Sequence, residues 1–192
     1  MSTTLAPRRS FAAGRPAAIL GGVLFAAAVA AASQIAVPLP WTPVPITLQP
    51  MLVIMAGMML GPVAGAASMV LYLAAGAAGL PVFTPIGAPG IARFFGPTGG
   101  YLLAYPVAAY VAGALALRMP ALRGRWLAGV AGIAVIYLGG IAVLSMLEAS
   151  VTRAVLLGVS PFAALDIVKA FVAAAISVPL GASGAGAARG AD

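Results

Sequence analysis

The sequence predicts an all-α integral membrane protein with six transmembrane helices, and three observations support this fold class. First, 63% of the 192 residues are hydrophobic and only 7% are charged, whereas soluble domains carry about 25% charged residues. Second, no charged residue occurs between Arg15 and Arg93, so this part of the chain cannot build a water-facing surface. Third, six apolar stretches follow one another in a chain of single-domain length.

The six stretches are expected at residues 17–37, 51–60, 63–80, 98–117, 126–147 and 162–180. Gly61 and Pro62 separate the second from the third, because glycine permits a tight turn and proline has no amide donor. The second stretch is shorter than the roughly 20 residues of a spanning helix. Its helix is therefore expected to begin earlier or to lie off the membrane axis.

The domain organisation predicted is a single membrane domain, residues 1–192. Residues 17–180 form the six-helix bundle. Residues 1–16 form a cytoplasmic N-terminal tail, and residues 181–192 form a flexible C-terminal tail.

The basic residues predict the orientation. If the N-terminus is cytoplasmic, only Arg93 and Arg153 fall outside, and seven arginines fall inside, namely Arg8, Arg9, Arg15, Arg118, Arg123, Arg125 and Arg189. Cytoplasmic loops carry an excess of Lys and Arg, so both termini are expected in the cytoplasm. The pair at positions 8 and 9 also resembles a twin-arginine or Sec signal. Five further apolar stretches follow, however, so cleavage would not release a soluble product.

The absence of cysteine and histidine narrows the chemistry. It excludes a disulfide framework, a thiolate nucleophile, a Cys/His metal site and an imidazole proton relay. Glu148 and Asp166 are the acids in the predicted membrane region, and there is no HExxH motif. An enzyme is therefore not expected, and neither catalytic residues, a metal nor a cofactor is predicted. The long outer connections favour a capped pocket over a channel.

The first outer connection, residues 37–50, holds five prolines in fourteen residues. Proline at this density excludes a regular helix and predicts an extended, polyproline-like crossing. Two interpretations stay open. The segment is either a stiff connector with Trp41 as an interfacial anchor, or a lid whose Thr47 and Gln49 face a pocket.

The second outer connection, residues 81–101, is long for a simple turn, and Arg93 is its only charged residue. Position alone favours an interfacial arginine that snorkels to the lipid headgroups. The alternative is an anion-binding group above the outer mouth of a pocket.

The first apolar stretch has small residues on nearly every face. Ala26 and Ala30 are four residues apart, as are Ala27 and Ala31, and small residues at this spacing let two helices approach closely. The stretch either packs inside the bundle or offers a smooth face to another membrane protein.

Two charges interrupt the last apolar stretch. Asp166 and Lys169 are three residues apart, so they lie on one helix face and can meet. A charge at the bilayer centre costs about 2.5–3.5 kcal/mol on insertion scales, and such residues face a cavity or a partner. The pair either locks the helix to the bundle or forms a polar floor for a substrate captured from outside, and the second interpretation is favoured.

Four segments in series carry a family resemblance: VPLPWTPVPITLQ, LGPVAGAASMVLYLAAGAAGLPVF, GPTGGYLLAYP and DIVKA. They resemble the BioY family, the biotin-specific substrate-binding (S) components of energy-coupling factor (ECF) transporters. The resemblance implies a six-helix protein of the bacterial cytoplasmic (inner) membrane that binds biotin on its extracytoplasmic side, with the proline-rich loop helping to close the pocket. The implied partners are a transmembrane coupling (T) component and two ABC ATPases, which use the ATP. A homo-oligomer stays open, as does a solitary secondary transporter of biotin or a related vitamin.

The resemblance also implies site residues. The family's sixth-helix Asp and Lys match Asp166 and Lys169, and Thr47, Gln49 and Arg93 complete the predicted substrate-binding set. The face formed by the small residues of the first helix matches the family's docking surface for the coupling protein and comprises Ala26, Ala27, Ala30 and Ala31.

Two positions depart from the family pattern. Relatives often have a polar side chain in the IGAPG segment, where this chain has Ala88. Some have a basic residue after the tyrosine of GPTGGY, where this chain has Leu102. Arg93 is the expected local replacement for holding the carboxylate of biotin.

Overall fold

The computed structural model of the protein describes residues 15–178, and within them it contains seven α-helices, one 3₁₀ helix and one two-stranded sheet. The α-helices are α1 (Arg15–Gln34), α2 (Gln49–Leu60), α3 (Pro62–Ala77), α4 (Gly99–Arg118), α5 (Leu122–Leu147), α6 (Val151–Gly158) and α7 (Ala163–Ser177). The strands are β1 (Val37–Leu39) and β2 (Thr42–Ile46), and the 3₁₀ helix is Gly90–Phe95.

The predicted tails lie almost entirely outside the described residues. This applies to residues 1–14 and 181–192, and therefore to the signal-like arginine pair at positions 8 and 9 and to Arg189. Arg15 and Pro16 belong to α1, so the helix begins two residues earlier than predicted.

The helices differ in length more than the six predicted spans do. Within residues 15–178, three helices are long and apolar enough to cross a membrane, namely α1, α4 and α5. Helices α6 and α7 make a fourth span if they count as one segment with a 55° bend. Helices α2 and α3 have only 12 and 16 residues. As expected for the short second stretch, α2 begins earlier, at Gln49 inside the proline-rich segment.

The short helices α2 and α3 pack against α4, which in turn lies along α5. Gly57 of α2 makes this packing possible, because a Cβ atom there would lie only 1.9 Å from the carbonyl oxygen of Ala109 in α4. Small residues allow helix backbones to approach this closely in a membrane. The backbones of α2 and α4 are therefore in direct contact at Gly57 and Ala109.

Residues 37–46 of the proline-rich segment form an antiparallel hairpin, not the extended, polyproline-like crossing expected from the sequence. Val37 of β1 lies opposite Ile46 of β2. Prolines are compatible with this pairing because both strands of a two-stranded sheet are edge strands. The hydroxyl of Thr42 donates to the carbonyl of Leu157 in α6 at 2.7 Å, so the hairpin is attached to α6.

Helix α6 was not predicted, because its eight residues fall in what looked like the last outer connection. Ser150 caps it by accepting a hydrogen bond from the backbone amide of Arg153 at 3.3 Å. The side chain of Arg153 is exposed and lies 3.9 Å from Glu148, a surface pair of little energetic weight. Past the bend, α7 begins at Ala163, one residue after the predicted start.

Candidate functional site

A cavity lies where the hairpin and the 3₁₀ helix meet the first turns of α2, α4 and α7. It contains about 630 Å³ of space between atoms, part of it open to the surroundings. Its wall includes all five predicted substrate-binding residues: Thr47, Gln49, Arg93, Asp166 and Lys169. Residues up to 122 positions apart in sequence therefore share one wall, and contact with a ligand stays a prediction for each of them.

Asp166 and Lys169 form a buried ion pair on α7. The side chains of Lys169 and Asp166 are 7% and 4% exposed, and Nζ of Lys169 lies 2.8 Å from Oδ1 of Asp166. The same ammonium donates to the carbonyl of Thr47 at 2.7 Å. The hydroxyl of Tyr137 in α5 donates to Oδ2 of Asp166 at 2.6 Å. The pair is thus fixed from the hairpin side and from α5.

The pair keeps hydrogen-bonding capacity for a ligand. An ammonium has three N–H donors, and an ionised carboxylate has about four acceptor positions. Among the described residues, Lys169 uses two of its donors and Asp166 uses two of its acceptor positions. One donor and two acceptor positions are left, a set that complements two N–H groups beside a carbonyl.

Gln49 and Thr47 lie at the junction of the hairpin and α2. The amide nitrogen of Gln49 donates to the hydroxyl of Tyr72 at 2.7 Å, and its amide oxygen accepts from the hydroxyl of Thr47 at 3.3 Å. Gln49 is buried, and its amide group still has one N–H without a partner among residues 15–178. Thr47 contributes both its hydroxyl and its backbone carbonyl to the site.

Arg93 is buried at 5% exposure, so the interfacial interpretation that its position favoured is wrong. Its guanidinium donates to the carbonyls of Thr84 and Ile86, and its Nε has no partner within the described residues. Burial lowers the pKa of this guanidinium, although arginine remains charged in proteins. The cation holds the second outer connection in shape and faces the cavity.

Aromatic rings form most of the remaining wall. The rings of Tyr72 and Phe83 meet edge to face at 5.5 Å, and those of Tyr72 and Tyr105 stack at 6.4 Å. Gly76 makes room for Phe83, since a Cβ atom there would lie 2.1 Å from the ring. Sequence reasoning named none of these aromatic residues. The available signal was a tyrosine inside an apolar span, because a buried hydroxyl needs a partner.

Comparisons with known proteins identify the family and match the fold. A profile described as the BioY family matches residues 8–184. The chain belongs to the BioY family. This membership confirms the resemblance drawn from the four motifs. The chain is a multi-pass membrane protein of a transporter family and is not an enzyme.

Two curated relatives match most of this BioY-family chain. The probable biotin transporter BioY of Pyrococcus horikoshii is 42% identical over 154 residues, which cover 80% of this chain and 90% of the relative. The biotin transporter BioY of Thermotoga maritima is 36% identical over 160 residues, which cover 82% and 91%.

A solved structure has the same fold. It is the crystal structure at 2.1 Å of the S-component for biotin from an ECF-type ABC transporter, with a TM-score of 0.77 and 27% identity. The match covers 83% of this chain and 88% of that chain.

The two departures from the BioY pattern have different consequences here. Leu102 is buried and lines the cavity, so an apolar side chain stands where some relatives have a base. Ala88 is exposed and is not part of the cavity wall. Only Leu102 therefore changes the chemistry of the wall, and Arg93 is a cation within the same wall.

The predicted docking face of α1 divides into two halves. Ala26 is 7% exposed and belongs to the core, and Ala30 packs partly buried against it. Ala27 and Ala31, one position further along the helix, are exposed. Internal packing therefore applies to Ala26, which is not available to a partner, and docking through Ala27 and Ala31 stays a prediction.

Proposed function

We propose that this chain captures biotin from outside the membrane and serves as the S component of an ECF-type ABC transporter. One observation carries the proposal. The cavity sets the Asp166–Lys169 pair, with hydrogen-bonding capacity left over, against an aromatic and apolar wall. The relatives named biotin transporters and the solved S-component for biotin support the same ligand.

The chemistry of biotin suits the two kinds of wall. Its ureido ring offers two N–H donors and a carbonyl acceptor, which complement the free acceptor positions of Asp166 and the free donor of Lys169. Its thiophane ring and alkyl chain need apolar surroundings, which Tyr72, Phe83 and Leu102 supply. Arg93 is proposed to hold the valerate carboxylate, since its Nε has no partner in the described residues.

The proposed topology has six membrane crossings, with both termini in the cytoplasm and the hairpin as the outer lid. Helix α4 supports it, because its first turn lines the cavity and its last residue is Arg118, about 30 Å away at 1.5 Å per residue. Arg125, in the first turn of α5, lies at that far end too. The cavity end carries Arg93 and the α6 residue Arg153. Four crossings follow from α1, α4, α5 and the α6–α7 pair, and the short α2 and α3 supply the other two.

The proposed partners are a transmembrane coupling (T) component, docked on Ala27 and Ala31, and two ABC ATPases that consume the ATP. No resident cofactor is proposed for this chain. From residue 16 to residue 34, α1 carries no charge and is partly exposed. This surface supports docking inside the membrane, where van der Waals packing between small residues drives helix association.

The decisive experiment purifies the protein in detergent and identifies the co-purified ligand by mass spectrometry. Biotin is expected, and isothermal titration of stripped protein should show saturable biotin binding. Uptake is then measured in biotin-auxotrophic cells with and without a coupling module. A different co-purified vitamin with no affinity for biotin would refute the ligand. Full uptake without any coupling module would refute the S-component role and favour a solitary transporter.

A further inference from the structure

Four tyrosines line the cavity, and three of their hydroxyls are engaged. Tyr72 accepts from Gln49 at 2.7 Å, Tyr137 donates to a carboxylate oxygen of α7 at 2.6 Å, and Tyr101 donates to the carbonyl of Gly158 at 2.9 Å. The fourth, Tyr105, has no hydrogen-bond partner for its hydroxyl within residues 15–178. Tyr105 is therefore the exception on this wall.

Tyr105 as a whole is only 3% exposed. Its hydroxyl, however, is not one of the fully enclosed unpaired side-chain atoms of residues 15–178, which are the Nε atoms of Arg93 and Arg125. The residue faces the cavity and is stacked on Tyr72. The space into which a partner would fit is thus the ligand space itself.

The number of hydrogen-bond donors on the cavity wall indicates which group of the ligand contacts Tyr105. A carbonyl oxygen has two lone pairs, and Lys169 has only one donor left for it. A second donor is needed to satisfy a fully buried ureido oxygen, and the unused N–H of Gln49, the O–H of Tyr72 and the hydroxyl of Tyr105 are the candidates on the wall. Among these groups, the Tyr105 hydroxyl alone has no hydrogen bond at all within residues 15–178. Tyr105 stacks on Tyr72, whose hydroxyl accepts from Gln49. Gln49 in turn accepts from Thr47, the residue whose carbonyl accepts from Lys169. Arg93, in the second outer connection, is already proposed to hold the carboxylate.

We infer that the Tyr105 hydroxyl is a direct ligand contact that donates to the ureido carbonyl of biotin, alongside Lys169. The inference rests on the proposed function, since it takes biotin as the ligand. It adds a specificity-determining residue. Its hydroxyl has no protein partner within residues 15–178, and the ureido carbonyl of biotin would supply one.

The test is Tyr105→Phe, which removes only the oxygen. The dissociation constant for biotin is expected to rise about tenfold, the usual size of one hydrogen bond, while the unfolding temperature of the ligand-free protein stays unchanged. Tyr101→Phe is the contrasting variant, because it removes a bond within the protein and should lower that temperature. Tyr110→Phe on the same helix is the matched control, since Tyr110 is exposed and outside the cavity.

Two analogues identify the ligand atom. Biotin amide keeps the ureido ring, so Tyr105→Phe should weaken its binding by the same factor as for biotin. An analogue with sulfur in place of the ureido oxygen is a weaker acceptor. For this analogue the ratio of the dissociation constants of Tyr105→Phe and wild type should therefore fall toward one.

Several outcomes would overturn the inference. Unchanged biotin affinity in Tyr105→Phe would show that the hydroxyl makes no ligand contact. A variant that fails to fold, or unfolds earlier in the absence of ligand, would show that the hydroxyl is bonded within the protein. If Tyr105→Phe weakened the binding of biotin but not of biotin amide, the hydroxyl would contact the carboxylate and not the ureido carbonyl. A wild-type protein without biotin affinity is a different result, because it refutes the proposed function itself.

Discussion

Neutralising the charges of Asp166 and Lys169, singly and together, tests whether the pair is the binding site or only a structural tie. The variants are Asp166→Asn, Lys169→Met and the double variant. Asn keeps the shape of the carboxylate, and Met keeps most of the length of the lysine stem. Each single variant leaves one buried charge without its partner, whereas the double variant leaves none.

The magnitude follows from the contacts. The two side chains are 7% and 4% exposed, so breaking the pair costs about 3–5 kcal/mol by analogy with other buried pairs. Lys169→Met also leaves the carbonyl of Thr47 without its donor, an additional cost of about 1–3 kcal/mol. Since domains are stable by only about 5–15 kcal/mol, both single variants should lose folded yield. The double variant should recover most of it, because its remaining cost is one unpaired carbonyl.

The assay combines thermal unfolding in detergent with biotin titration of each purified variant. If the pair is the site, the double variant regains yield and stability but does not bind biotin. The matched control is the exposed pair Glu148–Arg153, at 3.9 Å, replaced by Gln and Met. A surface pair contributes about 0–1 kcal/mol, so the control should keep both stability and binding. Near-normal biotin binding by the Asp166/Lys169 double variant would refute the reasoning.

Three further predictions concern other parts of the molecule. Arg93→Ala should weaken the binding of biotin by about 1.5–3 kcal/mol, the value of a charged hydrogen bond, and the binding of biotin amide much less. Equal weakening for both ligands, measured by calorimetry, would show that Arg93 does not bind the carboxylate. Ala31→Trp should abolish coupled uptake and preserve biotin binding in detergent, because the indole would clash with the coupling protein and not within this chain, whereas Ala26→Trp should reduce folded yield. Loss of biotin binding in Ala31→Trp would argue against a docking face. Gly57→Ala should destabilise the bundle strongly, since the added methyl would lie 1.9 Å from a carbonyl oxygen of α4, whereas Gly22→Ala meets nothing closer than 3.8 Å and should be neutral. Similar melting temperatures for the two variants would contradict the packing argument.

The helical bundle could be predicted because its signal is local. Long apolar runs and the Gly61–Pro62 break indicate helices directly, and the observed limits differ from the predicted ones by a few residues. Helix α6 was missed because eight residues are too few to show a clear period. The hairpin was missed because five prolines argue against a strand unless both of its edges are open.

The site residues that could be predicted are those whose side chains are energetically unfavourable in a membrane span. A charge in a membrane span requires an explanation, and this reasoning led to Asp166 and Lys169. Arg93 was misjudged from position, because the sequence does not show that two backbone carbonyls of its own connection hold it inside. The tyrosines were missed for a similar reason. Whether a hydroxyl is engaged depends on which distant carbonyl or carboxylate the fold brings to it.

The prolines of the hairpin have a consequence for behaviour in a crowded membrane. Two-stranded sheets have open edges, and an open edge is a template for pairing with another chain. Pro43 and Pro45 are two residues apart in β2 and therefore face the same edge, where neither can donate a hydrogen bond. The hairpin is thus a poor template for a strand from a neighbouring copy. The prolines that make this segment hard to recognise as a hairpin also protect it from aggregation.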